Sequence, residues 1–92
     1  MRGSDFAELK AFVAVVERKS FARAAEHLGL SPSALSQIIR KLEERIGARL
    51  LNRTTRSVAP SASGELLYRR IAPLFREMAV AVAEASESTG QM

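Results

Sequence analysis

The sequence predicts an all-α domain interrupted by one small β-hairpin and closed by a long helix. Three observations lead there. Apolar residues recur at helical spacing along most of the 92-residue chain, residues 49–60 break that period, and a second periodic run with steps of four and three follows. A chain of this length builds one modest core and has no room for a large catalytic domain. It holds no cysteine and one histidine, His27. Disulfide staples, thiol nucleophiles and cysteine zinc sites are therefore excluded together.

The elements follow in order. Met1-Arg2-Gly3-Ser4 has the character of an expression leader and is set aside from the fold. Asp5 and Glu8 have capping-box spacing, and Phe6, Leu9, Val13 and Val16 then recur along a first helix over residues 5–18. Arg18 and Lys19 suit the negative end of its dipole. Ser20 caps a short second helix whose apolar side is Phe21, Ala24, Ala25 and Leu28, and Gly29 ends it. Ser31-Pro32 opens a third helix with a capping hydroxyl and a proline at the first helical position. Leu35, Ile38, Ile39, Leu42 and Ile46 form its buried side, and Gly47 marks its end.

In residues 49–60, Leu50-Leu51 and Val58-Ala59 bracket a polar, basic tip, which reads as a small hairpin stopped by Pro60. Ser61 caps a last helix reaching Ser86, with Leu67, Ile71, Leu74, Met78, Ala81 and Ala85 as a heptad seam. Pro73 inside it removes one backbone hydrogen bond and predicts a kink. The tail from Ser86 to Met92 is small and polar and is expected to fray.

Charge is distributed unevenly. Residues 18–56 carry Arg18, Lys19, Arg23, Arg40, Lys41, Arg45, Arg49, Arg53 and Arg56 against Glu26, Glu43 and Glu44, a balance of +6, whereas the segments on either side carry −1 each. A basic segment between slightly acidic ones suits a polyanion; an ordinary solvated face would also account for it.

The second and third helices narrow the choice. Two helices joined by a tight glycine turn need a small residue at their closest approach, here Ala25, and glycine four positions later, here Gly29. They also need apolar residues around the turn and on the inner face, supplied by Ala24, Leu28, Leu30, Leu35 and Ile38. All seven fall in register, so the fold is expected to be a winged helix-turn-helix followed by a long helix.

The outward face of the third helix then carries Ser33, Ser36, Gln37 and Arg40. Hydroxyls, an amide able to pair with adenine and a guanidinium suited to guanine or phosphate are groups that read a DNA major groove. Ser31 and the first backbone amides of that helix suit a phosphate oxygen, and Pro32 beside them is counted with the DNA-binding candidates. Arg53, Thr54 and Arg56 at the wing tip are placed for a flanking backbone or minor groove. Lys41 and Arg45 are weaker candidates, because Glu44 lies beside them and can pair with them.

The run from Ser20 to Ser36, with Ile39-Arg40-Lys41-Leu42-Glu43 and Asn52-Arg53-Thr54-Thr55-Arg56, resembles the DNA-binding domain of LysR-type transcriptional regulators over about residues 5–88. The resemblance implies sequence-specific binding to double-stranded DNA at a two-fold symmetric operator, as a homodimer. It places Ser33, Ser36, Gln37 and Arg40 on the recognition helix, Arg53 and Arg56 on the wing, and Leu67, Ile71, Leu74 and Met78 on the dimerisation helix. Residues 1–60 would be the winged helix-turn-helix and 61–92 the linker helix and tail. The family's small-molecule sensor domain is absent from these residues, so the chain is expected to be an isolated DNA-binding part, with effector response outside it. Where the family shows a Leu-Thr-x-x-Gly run, this chain has Pro60-Ser61-Ala62-Ser63-Gly64, which predicts a shortened last wing strand.

No cofactor or metal is expected. Neither a membrane span nor a signal peptide is legible, and a cytoplasmic location is the default. The alternative function is a helical interaction module that uses the heptad helix without reading DNA. An enzyme is the poorest reading, since Glu26 and His27 point in different directions on their helix and no second histidine completes a site.

Overall fold

A computed structural model describes residues 3–54 and 57–90. The order of elements is α1 (Gly3–Arg18), α2 (Phe21–Leu28), α3 (Pro32–Ile46), β1 (Leu51–Arg53), β2 (Val58–Pro60) and α4 (Ala62–Gly90). Four helices and a two-stranded antiparallel wing make the winged helix-turn-helix architecture followed by a long helix.

Helix α1 is the centre of the core. Ala11, Phe12, Val13, Ala14 and Val15 are all buried in succession, which requires neighbours on every side. Those neighbours are α2, α3, β2 and the first half of α4. Leu35, Ile39 and Leu42 of α3, Leu50 and Leu51 at the wing, and Ala72 of α4 close the same cluster. Phe6, expected on the buried stripe, is 45% exposed instead, because it precedes the part of α1 that the other elements surround.

The start of α1 differs from the capping-box expectation. The helix begins at Gly3, so Gly3 and Ser4 belong to it, and Asp5 lies inside the first turn; Met1 and Arg2 lie outside the described residues. Asp5 and Glu8 instead converge on the Arg45 guanidinium at the far end of α3, with Asp5 Oδ1 2.9 Å from Nη1 and Glu8 Oε1 on Nη2. Arg45 thus pairs with α1 rather than with the adjacent Glu44.

The turn between α2 and α3 forms as its sequence requires. Gly29 has φ +72°, and its N–H donates to the Glu26 carbonyl while the Leu30 N–H donates to Ala25. Together these bonds are the helix-stop pattern that glycine favours. Ala24 and Ala25 are buried where the helices meet, but Leu30 sits at the rim, 36% exposed, with its backbone rather than its side chain serving the turn. Ile46 is also exposed rather than buried, since α3 has passed the edge of the core by its last residue.

In the wing, Leu51 pairs with Pro60, Asn52 with Ala59 and Arg53 with Val58. The second strand therefore runs through Pro60, the residue expected to stop it, and matches the first in length. Ser61 joins wing to helix: its N–H donates to the Leu50 carbonyl, its Oγ donates to Arg49 O at 2.6 Å, and the same Oγ caps α4 by accepting from Gly64 N–H.

The last helix remains continuous through Pro73 and on to Gly90. It thus extends beyond the expected end at Ser86, and Gln91 and Met92 lie outside the described residues. Leu67, Tyr68, Ile71 and Phe75 pack against the core, whereas every residue from Arg76 to Glu87 is exposed. No helix among the described residues is long and apolar enough to cross a membrane.

Candidate nucleic-acid interface

The site is built on α3. Ser31 stands just before it with extended backbone (ψ 154°), and its Oγ accepts from Ala34 N–H at 3.1 Å. Pro32 follows at the first helical position, where no donor is lost. Burial of Leu35, Ile39 and Leu42 turns the opposite side of the helix outward. On that side Ser33, Gln37 and Arg40 are exposed and Ser36 is half-buried. The sequence expectation that these four share one face is met in the structure, and Ser31 and Pro32 are exposed at its N-terminal end.

The wing stands beside this face. Thr54 and Ser57 close its tip: Thr54 N–H donates to Ser57 O at 2.8 Å and Ser57 N–H donates to Thr54 Oγ1 at 3.0 Å. Thr54 is exposed but also serves the turn. Arg56 lies outside the described residues. Arg53, which the sequence places for a flanking backbone or minor groove, is exposed and turns toward α2 and α3. Its Nη1 donates to Ser36 Oγ at 2.8 Å, and its guanidinium carbon lies 4.2 Å from the centroid of the Phe21 ring. One wing arginine thereby touches both helices of the turn motif, by a hydrogen bond and a cation–π contact.

Sequence reasoning missed Glu43. Its Oε2 accepts from the N–H groups of both Leu50 and Leu51, at 2.8 and 3.1 Å, tying the end of α3 to the start of β1. Leu50 and Leu51 lie beyond the Gly47 stop that ends α3, so helical periodicity does not reach from Glu43 to them and no periodic signal marks the contact. Glu43 matters to the site because it fastens the base of the wing to α3.

His27 and Glu26 are exposed on α2. Among the described residues no group of three His, Asp or Glu side chains converges as a metal site would require. Of the residues assigned to a dimer seam, Leu67 and Ile71 lie half-buried against their own core, while Leu74 and Met78 are 56% and 45% exposed.

Comparison with known proteins agrees with this geometry. Residues 6–65 match the family described as bacterial regulatory helix-turn-helix protein, lysR family. The HTH-type transcriptional regulator PgrR of Escherichia coli (strain K12) is 48% identical over 87 residues, which is 95% of this chain and 29% of that protein. The HTH-type transcriptional regulator CrgA of Neisseria meningitidis serogroup C is 48% identical over 77 residues, 84% of this chain and 26% of its own length. The chain thus spans less than a third of these relatives. Among solved structures, a BenM DNA-binding domain in complex with benA site 1 DNA superposes with a TM-score of 0.78 at 34% identity, covering 90% of this chain and 93% of that one.

Proposed function

Since the chain belongs to the lysR family of bacterial regulatory helix-turn-helix proteins, we propose that it reads a specific double-stranded DNA sequence as a homodimer. The observation that carries this reading is the outward face of α3, where Ser33, Gln37 and Arg40 stand exposed opposite buried Leu35, Ile39 and Leu42. A helix seated by one face on a core and bearing an amide, a guanidinium and hydroxyls on the other suits the major groove. The structural likeness to a DNA-bound BenM domain supports the same partner.

In this reading Ser33, Ser36, Gln37 and Arg40 face base edges. Ser31 and the first amides of α3 meet a phosphate with Pro32 packed beside it, and Arg53, Thr54 and Arg56 flank them from the wing. Residues 1–60 form the reading head and 61–92 the linker. The exposed end of α4 supports the dimer: Phe6, Leu9, Ile71, Leu74, Phe75 and Met78 line an apolar groove of about 510 Å³. A second copy of α4 laid there would cover Leu74 and Met78 and set two reading heads at a fixed spacing, as a two-fold symmetric operator requires. Such a protein works in the cytoplasm, and effector sensing is assigned to a C-terminal domain outside these residues.

The test is selection of bound duplexes from a random library by the purified chain near physiological salt, where non-specific retention is weak. Enrichment of a two-fold symmetric site is the expected result. Weak, salt-sensitive retention without enrichment would overturn specific readout and favour a protein-interaction module built on α4.

A further inference from the structure

Arg53 does more than extend a positive charge from the wing. A guanidinium has five N–H donors and no acceptor, so in its 2.8 Å bond with Ser36 the serine oxygen accepts. One lone pair of Oγ is thereby occupied, and a full positive charge stands beside it. That charge repels a second approaching N–H donor and strengthens the serine O–H as a donor in its turn, because hydrogen bonds in series polarise one another. Phe21 holds the guanidinium from the other side, with 4.2 Å between the guanidinium carbon and the ring centroid, so the arrangement is fixed by two elements rather than by one flexible side chain. Ser36 lies one turn in from the N-terminal end of α3, between Ser33 and Arg40 on the face proposed to meet base edges.

We propose that Arg53 sets the polarity of Ser36, making it a hydrogen-bond donor, so that the base position facing Ser36 is selected for a major-groove acceptor and cytosine is rejected there. The acceptors are purine N7, guanine O6 and thymine O4; cytosine presents only its amino donor. This rests on the DNA-reading function proposed above. Arg53 is then a positioning residue for specificity, acting through Ser36 in addition to any charge it lends the interface. A phosphate oxygen offers the same acceptor chemistry, and the proposal commits to the base edge because Ser36 sits within the helix face and not at its end.

The test uses the duplex that the chain itself selects. Each base pair is changed singly, each purine is replaced by its 7-deaza form, and each phosphate by a methylphosphonate, with affinities measured for the wild-type chain and for Ser36→Ala, Arg53→Ala, Arg53→Gln and Arg53→Lys. For the wild-type chain, cytosine at one position is expected to weaken binding by about tenfold or more relative to the preferred base. Ser36→Ala should reduce that discrimination to about twofold. Arg53→Ala should do the same at the same position while the preference set by Arg40 survives, and adding Ser36→Ala to it should remove nothing further there. Arg53→Lys, still a charged donor, should keep part of the preference; Arg53→Gln, whose amide also accepts, should not. Thermal melting separates loss of fold from loss of readout, and Arg53→Gln serves if Arg53→Ala does not fold.

A uniform weakening by the Arg53 variants at every base, with a shallower salt dependence, would overturn the proposal by making Arg53 a phosphate contact only. A Ser36-dependent penalty that follows one methylphosphonate instead of one base would overturn it as well. Failure of the wild-type chain to select any sequence would fell the DNA-reading function itself, an outcome distinct from selection that is insensitive to Arg53.

Discussion

Gly64 lies against the backbone of Leu50 so closely that a β-carbon at position 64 would overlap the Leu50 carbonyl oxygen and stand 3.2 Å from its Cα. The base of the wing and the first turn of α4 therefore touch backbone to backbone, and the same Leu50 carbonyl accepts from Ser61 N–H at 2.9 Å. Gly64→Ala is expected to push α4 off the wing and to destabilise the fold by about 1–3 kcal/mol, the usual cost of overpacking. Urea unfolding measures it, and an unchanged midpoint would refute the close approach.

Glu43 is the second fastening of the wing. Replacing it with alanine leaves the N–H groups of Leu50 and Leu51 without the carboxylate that now accepts from both. Glu43→Ala is expected to cost about 1–3 kcal/mol, and Glu43→Gln, which keeps an acceptor oxygen, clearly less. Equal losses in the two variants would show that the carboxylate's geometry, and not acceptance itself, is what the wing needs.

Tyr68 gives the fold a pH dependence on the alkaline side. Its hydroxyl donates to Glu17 Oε2 at 2.9 Å, and burial first, then that hydrogen bond, raise its pKa above the usual 10.0. A group whose folded pKa is raised contributes stability that is complete below the unfolded value and is lost as pH rises through the folded one. Melting temperature should therefore fall above pH 10 more steeply in the wild-type chain than in Tyr68→Phe. Parallel curves for the two would remove Tyr68 from the explanation.

Arg40 is exposed on the outward face of α3 and supports no part of the core. Arg40→Ala should leave the melting temperature unchanged within a degree or so and weaken binding to the selected duplex by about tenfold or more, corresponding to about 1–3 kcal/mol for a base-reading arginine. Titration against that duplex and against a scrambled one separates readout from charge: a base contact is lost mainly on the former.

Leu74 is the most exposed of the four residues assigned to the dimer seam. Leu74→Asp should give monomers in sedimentation and reduce affinity for a two-site duplex by about a hundredfold through lost bivalency, with affinity for a single half-site unaltered. An intact dimer in this variant would move the interface elsewhere.

Much of the architecture was legible because it is local. Ser20, Gly29, Ser31 and Pro32 act on backbone within a few residues of themselves, and the periodic spacing of Leu35, Ile39 and Leu42 defines both the buried side of α3 and, by exclusion, the face carrying Ser33, Gln37 and Arg40. These signals need no knowledge of what the helix meets. Residues with two local options were misread. Asp5 and Glu8 have the spacing of a capping box, yet a guanidinium from α3 offers their charges more than a helix end does.

The sequence by itself thus determined the succession of helices, the hairpin between them and the face of α3 that is turned outward. Only the tertiary structure decided which partners the long side chains take. Arg53 and Ser36 are 17 residues apart and Tyr68 and Glu17 are 51 apart, and such pairs exist only because the core brings their elements together. It also decided how the apolar seam of α4 is divided, with Leu67 and Ile71 against the chain's own core and Leu74 and Met78 left outside. The heptad spacing is the same along the whole run, and the difference arises because α1 and the wing cover only the first half of the helix.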